Sequence, residues 1–211
     1  MDKIIVFGAT GGTGRQVVEQ ALRAGHQVKV VVRQPETFNI SNPNLKIIKG
    51  DVLQPDTFED QFIDADAVIS CLGIPKVQPT TLYSESMENI ITAMEKTKAK
   101  RIICISSGAI DIPPKSSFIM TFLLKNVLQR IYKPVYKDMK LMESKLKSSK
   151  LNYTVVRAPK LTNGKKTGKY REVTKQPLRK IPTISRADLA AYMLKTVNDP
   201  KSYKSIIEVA Y

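Results

Sequence analysis

Three glycines at the spacing GxxGxxG, Gly8, Gly11 and Gly14 in Gly8-Ala9-Thr10-Gly11-Gly12-Thr13-Gly14, follow the apolar run Ile4–Phe7 and precede an amphipathic stretch. A tight strand-to-helix turn needs residues that tolerate positive φ. A backbone without side chains also lets a diphosphate approach, and the free amides of the helix N-terminus then face the anion. At this glycine content about 0.02 such triplets are expected by chance, so the loop reads as a dinucleotide cradle rather than a packing turn without ligand. Arg33 follows Val30-Val31-Val32, where an NAD site usually has an acid. An arginine there suits a 2′-phosphate, with charged hydrogen bonds worth about 1.5–3 kcal/mol each, and points to NADP(H); the alternative is a surface arginine. Asp51, with Val52, follows the third strand where adenine would lie, and Leu72-Gly73 follows the fourth, beside the cofactor path.

Tyr136 and Lys140 stand one helical turn apart. A lysine ammonium lowers a phenol's pKa, so that tyrosine can protonate an oxygen receiving a hydride, and Ser107 could hydrogen-bond the same oxygen. The spacing alone is weak evidence. With eight Tyr and 25 Lys in 211 residues, about one such pair is expected by chance. A solvated helix face is the competing reading, and flavin-type reduction needs no side-chain acid, only two aligned rings in a dry pocket.

The elements that must position these groups alternate. Strands are expected at Ile4–Phe7, Gln27–Val32, Leu45–Ile48, Asp66–Cys71 and Arg101–Ile105, with helices over Gly12–Ala24 and Thr81–Thr97. Continuous apolar strands separated by helices predict an α/β fold with a doubly wound, mostly parallel sheet covered on both faces. Beyond Ser107, breaks at Pro113-Pro114 and Pro134 frame the apolar-basic stretch Phe118–Lys133. It is read either as a helix packed into the core or as a flap over the substrate pocket, with a membrane-surface role as a third use. A polar helix to about Ser149, a strand Asn152–Arg157, an extended hairpin over Thr167–Val173, a helix Arg186–Asn198 and a strand Ser205–Val209 complete the chain.

The 211 residues, 42% hydrophobic, suffice for one sizeable core, so a single domain over residues 1–211 is expected. No apolar run reaches the ~20 residues of a membrane span. Met1-Asp2-Lys3 leads straight into a strand rather than a signal sequence, so a cytoplasmic protein is expected. Cys71 and Cys104 read as buried thiols, and no metal-site spacing is present. The net charge of +15 is lopsided: residues 1–100 carry 11 basic and 12 acidic residues, whereas residues 101–211 carry 23 and 7. Such a field attracts anions, but no nucleic-acid-binding motif accompanies it, and a solvated lysine surface is the plainer reading. His26, in a turn, is given no role.

FGATGGTGRQVVEQAL, VVVR, KGDVLQ, the Ser106-Ser107 pair after RIICI, and LNYTVVRAPKLTNGKKTGKY run almost end to end. In them the chain resembles the atypical short-chain dehydrogenase/reductases, most nearly the biliverdin reductase B and flavin reductase group, with NmrA-like regulators more distant. The resemblance implies a Rossmann-like domain, NADPH as cofactor, a monomer, and hydride delivery to flavins, quinone-like compounds or linear tetrapyrroles. By position it places Gly8, Thr10, Gly11, Gly12, Thr13 and Gly14 at the phosphates, Arg33 at the 2′-phosphate and Asp51-Val52 at adenine. Leu72, Gly73, Ser106, Pro159, Lys160 and Leu161 then line the rest of the cofactor site, with Ser107 at the nicotinamide and substrate face. Lys160 stands where that group has histidine, which departs from its substrate contact. Segments around 110–135 and 158–185 are expected to cover a small anionic or aromatic acceptor. A reductase is thus expected, with an NADP(H)-binding regulator lacking turnover as the alternative.

Overall fold

The computed structural model describes residues 1–111, 118–173 and 182–211. The run Lys3–Phe7 forms β1, whose successive side chains cross the sheet: Ile4 and Val6 enter one core, Ile5 and Phe7 the other. Four apolar residues in a row therefore mark a strand buried on both faces. Then follow α1 (Gly12–Arg23), β2 (Gln27–Val32), β3 (Leu45–Lys49), β4 (Ala67–Ser70), α2 (Leu82–Thr97) and β5 (Arg101–Ser107). The second half contains α3 (Phe118–Leu123), α4 (Gln129–Ile131), α5 (Lys133–Ser148), β6 (Asn152–Ala158), β7 (Lys160–Thr162) and β8 (Arg171–Val173). It ends with β9 (Thr183–Ser185), α6 (Arg186–Lys195) and β10 (Ser205–Ala210).

The main sheet has the order β3-β2-β1-β4-β5-β6-β10-β8, parallel except for β8, and β7 pairs with β9 in a small parallel sheet. Helices α1 and α6 cover one face, and α2 and α5 cover the other. This is the expected doubly wound, Rossmann-like arrangement in one domain, with crossovers carrying the chain to both faces of the sheet. Among the described residues no helix is long and apolar enough to cross a membrane. Cys71 and Cys104 are free and buried, and burial pushes the Cys71 thiol up to about 12.

The second half departs from expectation in four places. Pro134 does not break the chain but sits in the first turn of α5, where its missing N–H costs nothing. The segment expected as a hairpin supplies one strand, β8, which pairs antiparallel with β10 from Arg171 opposite Ala210 to Val173 opposite Glu208. The last helix stops at Lys195, three residues before the expected end. Phe118–Lys133 is not one core helix: α3 and α4 are joined by a π-helical turn, Leu124–Leu128, and Phe118 (85%), Phe122 (57%) and Ile131 (55%) are exposed. Its anchor is polar: Gln129 Nε2 donates to the Ala109 and Ile110 carbonyls at 3.4 and 3.1 Å. The expected break at Pro113-Pro114 lies outside the described residues.

Asp188 secures the chain on the α6 side. Ser185 caps α6 by accepting from the Asp188 amide at 3.0 Å. The buried Asp188 carboxylate in turn accepts from Thr167 N (2.9 Å), Gly168 N (2.7 Å) and the Tyr211 hydroxyl (2.7 Å). Burial pushes this carboxyl up, but those donors outweigh it and hold it below its ordinary range. The loop following β7 is thereby fixed against α6.

Candidate active site

At the end of β1 the chain turns at Gly8 (φ +72), where a Cβ would lie 2.5 Å from the Cys71 carbonyl oxygen. Gly11 N donates back to Gly8 O at 3.1 Å, closing the turn. A Cβ on Gly14 would stand 2.2 Å from Gly8 O, so the first turn of α1 rests directly on the strand exit. No side chain caps α1, and no acid stands in its first turn. Its first amides, with the positive end of the helix dipole, are left to an outside anion at the crevice where β1 and β4 send their helices to opposite faces. A bare cradle with uncapped amides fits the diphosphate of a dinucleotide.

The other expected cofactor residues lie along the same edge of the sheet. Arg33 is exposed just beyond β2 and forms no ion pair among the described residues. Asp51 closes its own turn, accepting from Leu53 N at 3.0 Å, while Val52 is buried and its carbonyl accepts from Asn89 at 3.0 Å. Leu72 and Gly73 follow β4, half-buried and exposed respectively. Register pairs Ser107 with Ala158, and Gly108 N donates to Ala158 O at 2.9 Å. Pro159, Lys160 and Leu161 thus leave the sheet beside Ser107, with the Lys160 side chain exposed.

The two serines of β5 do different work. Ser107 Oγ accepts from Ala109 N at 3.3 Å, and Ser107 stands close enough to the Tyr136 hydroxyl to lower its pKa. Ser106 is buried and donates to Glu143 Oε1 at 2.7 Å, so its side chain serves the interior rather than the expected cofactor surface. Burial and Tyr132, stacked at 5.6 Å, raise the Tyr136 phenol above its ordinary range, and nearby Ser107 only partly offsets them. Lys140 does not supply the expected lowering. Its ammonium lies 3.0 Å from Asp111, whose other oxygen binds Arg157 at 2.8 Å. A carboxylate attracts the ammonium more strongly than a neutral phenol does.

Arg157 and Glu143 form the arrangement that reading the sequence missed. Arg157 binds Glu143 through two parallel bonds of 3.0 and 2.7 Å, beneath Ser106 and beside Asp111. Burial raises the Asp111 carboxyl, but Lys140 and Arg157 more than compensate and hold it below the usual carboxylate range. The signal was an arginine inside the apolar strand NYTVVRA: a cation there requires a buried acid nearby. Arg186 carried no comparable signal. Among the described residues no cluster suits a metal ion.

The glycine cradle and the sheet order define a Rossmann-type dinucleotide-binding protein. More particularly, the chain belongs to the NAD(P)H-binding family, whose profile matches residues 8–200, and its cofactor is a nicotinamide dinucleotide. It is 27% identical to an uncharacterised chloroplastic protein of Arabidopsis thaliana, over 98% of this chain and 76% of that one. Against the photosystem II assembly factor Ycf39 of Cyanophora paradoxa (28% identical), 72% of this chain aligns but it spans only 43% of that protein. A short-chain dehydrogenase/reductase of Veillonella parvula, solved with NADP, shares the fold with a TM-score of 0.83 at 17% identity, over 100% of this chain and 94% of that one. ChuY, an anaerobilin reductase of Escherichia coli O157:H7, does so with a TM-score of 0.77 at 22% identity, over 98% and 96%.

Proposed function

We propose that the protein is an NADPH-dependent reductase that delivers hydride to a small, flat, acidic acceptor such as a flavin, a quinone-like compound or a linear tetrapyrrole. The observation that carries this reading is that Ser107, at the end of β5 on the same sheet edge as the glycine cradle, has the Tyr136 side chain of α5 beside it. The bound reduced nicotinamide supplies the hydride. Tyr136 has a proton to give, because a phenol is neutral at pH 7, and Ser107 stands beside that hydroxyl. The acceptor gains hydride and proton together, and solvent reprotonates the phenol.

The segments 118–135 and 158–173 cover the acceptor in this reading, with the exposed Phe118 and Phe122 offering ring surface. The basic second half draws an acidic acceptor toward the site. The shared fold of the anaerobilin reductase supports a tetrapyrrole as one candidate. A second reading, a dinucleotide-binding regulator without turnover, is favoured by one observation: Lys140 is held by Asp111 rather than acting on Tyr136.

Mixing the purified protein with NADPH or NADH and FMN, a quinone or biliverdin separates the two. Oxidation of NADPH by at least one acceptor, reduced at least tenfold by Tyr136→Phe, is expected. NADPH binding without turnover across these and a carbonyl panel leaves the regulator. Arg33→Asp is expected to weaken NADPH about 10- to 100-fold and NADH little, by titration of cofactor fluorescence. Equal losses would remove Arg33 from the 2′-phosphate.

A further inference from the structure

We infer that Arg186, arriving from α6, is a binding residue for the diphosphate common to both nicotinamide dinucleotides, an inference that rests on the cofactor assignment above. The first observation concerns Gly12. Its backbone lies outside the left-handed region, so the turn does not require glycine there. What a side chain would meet is Arg186: a Cβ on Gly12 would stand 2.7 Å from Arg186 Cδ and 2.9 Å from Nε. The arginine stem occupies the volume that any other residue would fill, at the first turn of α1, whose amides no side chain caps.

The second observation is how this placement is held. Arg186 Nη1 donates to Asn163 Oδ1 at 2.7 Å, and Asn163 belongs to the loop that Asp188 fixes through Thr167 and Gly168. The guanidinium is therefore tethered at the helix N-terminus rather than free in solvent. The third is electrostatic. Arg186 opens onto a cleft of about 620 Å³ that Arg23, Lys165 and Lys166 also line and that no carboxylate lines. Residues 112–117 and 174–181 contain no Asp or Glu to neutralise it. Arg23, in the last turn of α1, is paired with Glu19 at 3.7 Å, but Arg186, Lys165 and Lys166 and the positive end of the helix dipole repel one another, and an anion at the start of α1 relieves that repulsion.

Arg33 and Arg186 then read different parts of the cofactor, and binding separates them. Titrations of NADP+ and NAD+ by calorimetry at low salt should show Arg186→Ala weakening both by a similar factor, about 10- to 30-fold. Arg33→Asp weakens chiefly NADP+. Gly12→Ala should displace the arginine and weaken both dinucleotides, and adding it to Arg186→Ala should cost little more, because both remove one interaction. Arg186→Lys should recover part of the loss. Arg186→Gln, which keeps a donor toward Asn163, replaces the alanine variant if thermal melts show that the latter unfolds. Affinities within twofold of wild type for both dinucleotides, or a loss confined to NADP+, would overturn the inference. A wild-type protein that binds neither dinucleotide would instead remove the cofactor assignment itself.

Discussion

Gly8→Ala is expected to abolish measurable binding of NADP+ and NAD+ and to lower stability by about 2–4 kcal/mol. The backbone at Gly8 has φ +72, which an L side chain tolerates only at a cost, and the new Cβ would sit 2.5 Å from the Cys71 carbonyl oxygen. Neither partner can yield separately. Cys71 N is bonded to Phe7 O at 2.9 Å in the β1–β4 ladder, and Gly8 O receives the Gly11 amide that shapes the cradle. Moving either shifts the amides proposed to meet the diphosphate, and an error of about 1 Å there is enough to lose pre-organised binding. Gly14→Ala should do the same by another route, its Cβ falling 2.2 Å from Gly8 O. Urea titration and cofactor calorimetry on the same samples test both effects. Gly8→Ala binding dinucleotide within threefold of wild type would mean that the anion does not sit in this turn.

Arg157→Met is expected to cost about 3–5 kcal/mol, the other large loss in the molecule. Glu143 is 3% exposed, and Arg157 is its only cation within salt-bridge distance among the described residues. Removing the guanidinium leaves that carboxylate, among the described residues, with the Ser106 hydroxyl alone. Replacing both partners, as Arg157→Met with Glu143→Leu, should recover most of the loss, because the penalty lies in the unpaired charge and not in the absence of the pair. Asp111 adds a pH dependence with a definite sign. Its folded pKa is depressed, so its contribution is complete above the unfolded value of about 3.9 and disappears as pH falls through the lower folded value. Arg157→Met removes part of that contribution, so the gap between variant and wild type in urea midpoint should narrow below about pH 4. A gap unchanged between pH 7 and pH 3 would show that Asp111 takes no share in the clamp.

The clamp also bears on catalysis. Asp111 holds Lys140 on one side and Arg157 on the other, immediately before the segment that leads to α3. The tyrosine–lysine spacing read from the sequence is real as a helical spacing, yet the ammonium is engaged elsewhere. Two residues four apart share a helix face, but which neighbour that face meets depends on chain from outside the helix, here the loop after β5.

The first half of the chain was legible because its signals are local. Ile4–Phe7, QVKVVV and RIICIS each carry in their own composition the information that both faces are covered, and glycine spacing marks the turn between strand and helix. The second half was less so for an equally physical reason. Pro134 can end a segment or begin a helix, and only the helix that follows decides which. Residues 171–173 can pair with any free strand edge, and the edge that received them, β10, lies more than thirty residues further along the chain.

Local chemistry in the sequence thus determined the strand and helix alternation, the dinucleotide cradle and the placement of Arg33 beyond the second strand. The tertiary structure alone decided that Ser107 meets Tyr136 while Ser106 turns inward, that Lys140 answers to Asp111, and that Arg186 reaches Gly12. Each of these joins groups from separate elements. Hydrogen bonds and ion pairs act over about 3 Å, and only the packing of helices on the sheet brings such groups within that range.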